Sequence, residues 1–403
     1  MTNYKSKAYF YFSSVITFLL FIPIFNRSNI GSDWDSYAII GTYKNYLENG
    51  IYIPSRPPGF PLYEVTIGIL ISFSDYLYLS SEQILLTFQF ILCISFNLLI
   101  FKYFEKTKNS NFFIYLVIVL SPIYIISGLS VIDYFLGSFL GFLSLYLAMF
   151  KKDQKNIEII ISLFLALSVA TRLSNLIFVL IIFLFTFYNQ QDRKSAILIG
   201  SLSLILSSII YLPFYMNLFE FYKSTGVYEN WSDMLCIFNL TNTDHTIIGR
   251  MGRFILKQIP FFGTLGVFLF LFNIPKYNID LKERNWYLFL LFIFFELSFL
   301  RLPTEEGHLL PSFIAFMILI NKSKNKIFSL IFVLVLISNF VDLKFYSVDE
   351  IDSASSISFG LNIKSGFFTE DFNLRNSIGE DKIYHYNNAQ TTLYNAWSNG
   401  CPN

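Results

Sequence analysis

The chain has 403 residues, of which 54% are hydrophobic and only 14% are charged, and its mean hydropathy is +0.53. A soluble globular protein of this length does not carry so much apolar side-chain surface, so the composition predicts a polytopic membrane protein. The net charge of +1 and the lack of a long basic run argue against a nucleic-acid partner. Three cysteines, Cys93, Cys236 and Cys401, have no metal-binding spacing.

Eleven apolar runs have the length and composition of transmembrane helices, for which about 20 residues suffice. They lie near residues 8 to 25, 82 to 104, 111 to 129, 132 to 150, 157 to 171, 173 to 189, 195 to 213, 254 to 274, 285 to 300, 308 to 321 and 326 to 343. Lys5 and Lys7 precede the first run and no small-residue cleavage site follows it, which predicts a retained anchor with a cytoplasmic N-terminus. We therefore predict an all-α, multi-pass protein of the cell (plasma or inner) membrane with about eleven transmembrane helices.

Residues 60 to 79 are apolar as well, and their placement decides the side on which every later loop lies. If they crossed the bilayer, the lysine clusters at 102–108, 151–155 and 322–326 would lie outside the cell. Lys and Arg collect in cytoplasmic loops, so we predict that residues 60 to 79 form a helix along the membrane surface. A second interfacial helix is predicted for residues 36 to 49, where apolar residues recur at helical spacing before Gly50.

These assignments divide the chain into two parts. Residues 1–343 form the transmembrane domain, whose long first external loop spans residues 26–81. Residues 344–403 are more polar and are predicted to form a small extracytoplasmic C-terminal segment.

The most informative motif lies in the first external loop, where Asp33, Trp34 and Asp35 follow the first span and Arg56 follows in the same polar stretch. At this position a lipid-linked phosphate would present its reactive end. Polar residues in apolar surroundings are costly in a membrane unless they face a cavity or a ligand. The residues predicted to bind the donor phosphate or the substrate are Arg56, Glu64, Asp133, Arg172, Arg250, Arg253, Arg301 and His308, with Glu64 expected to neutralise Arg56.

The first part of the chain consists, in order, of one span, an acidic pair, an interfacial helix and then Arg-Pro-Pro-Gly-Phe-Pro-Leu-Tyr-Glu at 56–64. This order of elements resembles that of the glycosyltransferase C superfamily. The likeness is to its polyprenyl-phosphate-sugar transferases, which include protein mannosyltransferases and the aminoarabinose transferase of lipid A. Three further stretches are similar to that family: Asp133-Tyr134-Phe135, Ala170-Thr171-Arg172-Leu173-Ser174-Asn175 and His308-Leu309-Leu310-Pro311.

The resemblance implies a sugar donor linked through phosphate to a polyprenol in the membrane lipid. It also implies an acceptor glycan, lipid or protein at the extracytoplasmic face, inversion at the anomeric carbon, and no required cofactor. The residues themselves suggest roles for this chemistry. Asp33 is the candidate general base and Asp35 would orient it or the acceptor, while the arginines and His308 would stabilise charge on the leaving phosphate.

Other interpretations of the same residues stay open. Asp33 and Asp35 could instead bind a divalent cation together with the donor phosphate, or Asp33 could simply cap the helix that follows. For the whole chain, a polymerase of O-antigen or capsule repeat units would share the external arginines and the lipid-phosphate substrates. A flippase or transporter of lipid-linked sugars would place charged residues at the bilayer midplane.

Overall fold

The computed structural model describes residues 2–50, 52–56, 59–107, 112–151, 154–224, 247–263, 266–267, 285–301, 306–319, 331, 334–336, 338–348 and 358–398. This part of the chain is predominantly helical. Its longer helices are α1 (Thr2–Arg27), α2 (Trp34–Asn49), α3 (Pro61–Leu77), α4 (Ser81–Lys106), α5 (Phe112–Leu120), α6 (Pro122–Gly128), α7 (Asp133–Phe150), α8 (Ile157–Thr171), α9 (Leu176–Asn189), α10 (Arg193–Ser224), α11 (Ile247–Leu256), α12 (Trp286–Arg301) and α13 (Leu310–Leu319). Short 3₁₀ turns cover Leu173–Asn175, Ile259–Phe261 and Glu306–Leu309.

Among the described residues, four helical segments are long and apolar enough to cross a membrane: Lys7–Arg27, Ser81–Lys106, Asp133–Phe150 and Arg193–Phe214. Shorter apolar helices fill several of the other predicted spans. The predicted span at 111 to 129 is divided into α5 and α6 at Ser121, because a proline follows and cannot donate to the helical hydrogen-bond ladder. The predicted spans at 254 to 274 and 326 to 343 fall partly outside the described residues, so the count of eleven stays a prediction.

Helices α1 and α4 run antiparallel, and the contacts between them distinguish the two ends of the helical bundle. Phe21 stacks on Phe90 at 4.6 Å between ring centroids, and Phe10 lies 5.6 Å from Phe101. The C-terminus of α1 therefore lies beside the N-terminus of α4. The segment from 28 to 80 begins and ends at the same end of the bundle, and the placement of residues 60 to 79 along the membrane surface stays a prediction. We call this the loop end.

Later helices connect the loop end with the opposite end in alternation. Near the start of α7, Ser168 of α8 donates a hydrogen bond to the Gly137 carbonyl (2.7 Å). At the other end of α7, Gln190 donates to the Ala148 carbonyl (2.6 Å), and Phe150 lies 5.7 Å from the Tyr103 ring. The described lysines of the predicted cytoplasmic loops, Lys106, Lys151, Lys155 and Lys194, flank the helix termini at this opposite end. We call it the lysine end.

The C-terminal segment begins with an antiparallel hairpin that the sequence analysis did not predict. Strand β1 (Val341–Val348) pairs with β2 (Ser358–Ser365), with Val341 opposite Ser365 and Val348 opposite Ser358. Two helices follow, α14 (Phe367–Glu380) and α15 (Lys382–Ser398).

The second of these helices, α15, packs on α2 of the first loop. Trp34 lies 4.4 Å from His385, and Tyr37 lies 5.2 Å from Tyr386, between ring centroids. Lys382 of α15 pairs with Glu82 at the start of α4 (3.4 Å). The C-terminal segment therefore covers the loop end.

Candidate functional site

Helix α2 begins at the acidic motif, and Asp33 is its N-cap. Asp33 has an extended backbone, and its carboxylate accepts a hydrogen bond from the Ser36 amide (3.1 Å). An N-cap side chain satisfies an amide that has no partner inside the helix. The helix ends at Gly50, which adopts a left-handed φ of 65° and donates its amide to the Tyr46 carbonyl. The helix-cap interpretation of Asp33 is thus confirmed, and a cap is still able to do chemistry with its second oxygen.

Five of the residues singled out in the sequence form one connected ion-pair network at the loop end. Arg56 bridges two carboxylates, with Nε 3.0 Å from Asp35 and Nη2 2.7 Å from Asp133. Asp133 is fully buried and also accepts from Arg172 Nη1 (2.5 Å). The Nη2 atom of Arg172 in turn lies 2.8 Å from Nδ1 of His308. We call Asp35, Arg56, Asp133, Arg172 and His308 the ion-pair network.

Interruptions of the helices bring these residues together. Asp133 is the first residue of α7, and His308 belongs to the 3₁₀ turn that precedes α13. Arg172 has an extended backbone (φ −159°, ψ 121°) between α8 and the next 3₁₀ turn, and its amide closes α8 by donating to the Ser168 carbonyl (3.0 Å). Each side chain is thus presented at a helix terminus of the same end, from segments far apart in the sequence.

Aromatic rings enclose the cations of the network. The Arg172 guanidinium lies 3.9 Å from the centre of the Tyr134 ring, and the Arg56 guanidinium lies 4.4 Å from that of Phe60. Such contacts favour a cation most when water is excluded. Nη2 of Arg172 lies within hydrogen-bond distance of both ring nitrogens of His308, and because a guanidinium only donates, the nitrogen that accepts from it carries no proton. The buried network therefore carries two positive and two negative charges.

A cavity of about 260 Å³ lies beside the network, and Asp33 and Tyr134 both line it. Asp33 is exposed and lines the cavity. Desolvation, together with the nearby charge of Asp35, raises the pKa of Asp33 to about 6. A carboxyl group with this pKa is ionised at neutral pH and is more basic than an ordinary aspartate, as a general base requires.

Glu64 is buried and accepts several hydrogen bonds from the loop that precedes α3. Its carboxylate accepts hydrogen bonds from the Ser55 amide (2.7 Å), the Ser55 hydroxyl (2.5 Å) and the Tyr52 hydroxyl. Asp35 and Asp133 make ion pairs with Arg56. Burial raises the pKa of Glu64, and the positive charge of Arg56 opposes that rise, so Glu64 lies within electrostatic range of Arg56. The hydrogen bonds of Glu64 also hold the loop before α3 in place.

The side chains of the other three predicted phosphate-binding arginines fall outside the described residues. Arg250 and Arg253 lie one turn apart on α11 and Arg301 is the last residue of α12, but their side chains lie outside the described part of the structure. Within the described residues, no group of three His, Cys, Asp or Glu side chains is arranged to hold a metal ion.

The sequence analysis gave no role to Tyr134, Phe60 or the C-terminal segment at the site. Both aromatic residues belong to the motifs that were singled out in the sequence. Tyr134 directly follows Asp133 and contacts Arg172, and Phe60 lies four residues after Arg56 and contacts it. Glu370 and Asp371 of α14 line the cavity, but nothing in their local sequence signals this. They reach the cavity only because the C-terminal segment folds back on the first loop.

Comparisons with protein-family models, curated proteins and solved structures gave no match. The function is therefore inferred from the geometry of the site.

Proposed function

We propose that the protein is a membrane glycosyltransferase that moves a sugar from a polyprenyl-phosphate carrier to an extracytoplasmic acceptor, with inversion at the anomeric carbon. The observation that carries this proposal is the ion-pair network, which lies at the loop end of the bundle beside a cavity lined by Asp33. It joins the acidic motif of the first loop to residues of three later segments.

The energetic cost of the network supports a functional role. Each buried ion loses hydration worth several kcal/mol, and a well-packed apolar replacement is often as stable or more stable. Asp133 is fully buried, and Arg56 and Arg172 are 4% and 7% exposed. Clusters of buried ionisable groups beside a cavity are characteristic of sites that bind or transform charged substrates.

In the proposed reaction, the Asp33 carboxylate takes the proton from the acceptor hydroxyl as its oxygen attacks the anomeric carbon. The bond between that carbon and the phosphate oxygen breaks, and polyprenyl phosphate leaves. We assign Arg172 and Arg56 to the leaving phosphate, which competes with Asp133 for their guanidinium groups. Among the described residues, the buried Nε of Arg172 has no hydrogen-bond acceptor, so this donor is available to a phosphate oxygen.

Orientation in the membrane follows from the lysines. Because lysines flank the helix termini at the lysine end, we place that end in the cytoplasm and the cavity at the extracytoplasmic face. A lipid-linked donor in the outer leaflet then has its phosphate at the level of the network.

The test is transfer by the purified protein in liposomes supplied with labelled polyprenyl-phosphate sugars and membrane glycan acceptors. Asp33→Asn should lower turnover by about 10²- to 10⁴-fold, the usual contribution of a general base. Asparagine caps helices as well as aspartate does, so α2 and the abundance of the protein should not change. Glu158→Gln at the lysine end, which removes a carboxylate that accepts from Ser195, is the matched control. Wild-type turnover in Asp33→Asn, or no transfer from any polyprenyl-phosphate sugar, would contradict the proposal.

A further inference from the structure

The C-terminal segment supplies one wall of the cavity that contains Asp33. Glu370, Asp371 and Leu374 of α14 line this wall, and Ser127 and Tyr134 line the wall across from it. The cavity is therefore formed between the transmembrane bundle and a segment that carries none of the predicted site residues.

Arg375 fixes the position of this wall. Its side chain is 1% exposed, and Nε donates to Asp371 Oδ2 (2.6 Å). Its Nη1 donates to the Leu129 carbonyl (2.9 Å) and its Nη2 to the Ser130 hydroxyl (2.6 Å). The guanidinium thus ties α14 to the junction between α6 and α7, and it holds Asp371 at the edge of the cavity.

Two buried polar atoms belong to residues that line the cavity and lack a partner. Within the described ranges, neither Asp371 Oδ1 nor the Tyr134 hydroxyl makes a hydrogen bond. Asp371 is 7% exposed and Tyr134 is 4% exposed. Buried polar groups are nearly always satisfied, so two unsatisfied atoms in residues that line one cavity mark it as a candidate ligand site. A cavity of about 260 Å³ greatly exceeds the ~10–15 Å³ that one water needs, so it has room for a larger ligand.

The charge of the lining selects the kind of ligand. Asp33, Glu370 and Asp371 contribute carboxylates, of which Asp371 is paired with Arg375, and none of the described residues that line the cavity is Lys or Arg. Carboxylates accept hydrogen bonds from hydroxyl and ammonium groups, whereas they repel another anion. A neutral or cationic polyhydroxy compound fits this lining, and an acidic sugar does not.

We propose that this cavity is the acceptor subsite, and that Asp371, Glu370 and Tyr134 select an uncharged or amino-bearing sugar-like acceptor. This inference rests on the proposed glycosyltransferase function. The acceptor hydroxyl gives its proton to Asp33 while its oxygen bonds to the anomeric carbon of the donor. The phosphate leaves with the electron pair of the broken bond. The carboxylates of α14 bind the other donor groups of the acceptor.

Binding can be measured without turnover, by saturation-transfer NMR on the full-length protein in nanodiscs. The probes are methyl glucoside, methyl glucosaminide and methyl glucuronide, which differ in charge but hardly in size. We expect the first two to bind and the glucuronide to bind at least ~10-fold more weakly, because of the like charge. Equal binding of the glucuronide would overturn the charge selection.

Two variants test the residues with matched controls. Tyr134→Phe removes a hydroxyl that has no partner in the described structure, so it should fold normally and weaken glucoside binding about 5- to 10-fold. Tyr124→Phe removes an equally buried, unpaired hydroxyl of α6 that does not line the cavity, and it should bind like the wild type. Glu370→Gln should improve glucuronide binding, whereas Glu380→Gln, at the exposed end of α14, should not.

The outcomes separate this inference from the proposed function. If the wild type transfers sugar but Tyr134→Phe and Glu370→Gln leave the acceptor KM and probe binding unchanged, the subsite is overturned and the transferase proposal stands. If the probes bind selectively but no polyprenyl-phosphate sugar is used, the transferase proposal is overturned, and with it the assignment of the cavity to an acceptor.

Discussion

The ion-pair network makes a prediction about stability and activity that a set of ordinary surface salt bridges would not. Asp133 pairs with both Arg56 and Arg172, and all three side chains are buried. Removing one member of a buried pair leaves an uncompensated charge and costs about 3–5 kcal/mol. We therefore expect Asp133→Asn and Arg172→Met each to lower the free energy of unfolding by about that amount.

The double variant should lose less free energy of unfolding than the sum of the losses in the two single variants. Asp133→Asn leaves an excess positive charge and Arg172→Met an excess negative one, but together they leave only the neutral Asp35–Arg56 pair (3.0 Å). Residues in contact within one network couple by about 0.5–3 kcal/mol. Because both side chains are buried here, we expect a recovery near the top of that range, about 2–3 kcal/mol.

The assay is reversible unfolding in mixed micelles, run beside the transfer assay in liposomes. Stability should recover in the double variant, while activity should not, because the phosphate partner Arg172 is still missing. Additive stability losses, with coupling below about 0.5 kcal/mol, would show that the network is not a coupled unit. Activity that returned together with stability would show that the network only supports the fold.

Three further predictions address the base, the C-terminal segment and the orientation. A base whose pKa is raised to about 6 must be deprotonated to work, so kcat/KM should rise tenfold per pH unit below about pH 6 and level off above it; a rate that stays level from neutral pH down to about pH 4.5 would contradict this. Arg375→Met should expose the segment from 366 onward to limited proteolysis and destabilise the protein by about 3–5 kcal/mol, because Asp371 is left buried without its cation; wild-type protease resistance would contradict the clamp. With Cys236 and Cys401 replaced by serine, Glu48→Cys should react with an impermeant maleimide on intact cells and Lys155→Cys should not; the reverse pattern would place the cavity in the cytoplasm.

Local sequence patterns predicted several elements because their causes are local. Gly50 ends α2 where the helical pattern of apolar residues stops, and its positive φ is costly for any residue with a side chain. The apolar run at 60 to 79 forms α3, and the chain then returns to the end from which it started. Proline positions were informative too, although the break at Ser121 and Pro122 inside a continuous apolar run was missed.

Pairings between charged residues were less predictable. The sequence singled out Asp133 and Arg172 because isolated polar residues in apolar runs are costly, and His308 as a partner for the leaving phosphate. The structure brings all three into contact. The sequence also named Glu64 as a residue that could neutralise Arg56, but it did not identify Asp35 and Asp133 as the carboxylates that make direct ion pairs with that arginine.

By itself the sequence determined the membrane-protein composition, most helix positions and the residues whose charge demands a partner, since hydrophobic runs and isolated ions are properties of short segments. Only the tertiary structure decided which carboxylate meets which arginine and that α14 closes the cavity with Glu370 and Asp371. These contacts join residues that are up to several hundred positions apart. Their formation depends on how helix ends align when the bundle packs, which no local pattern encodes.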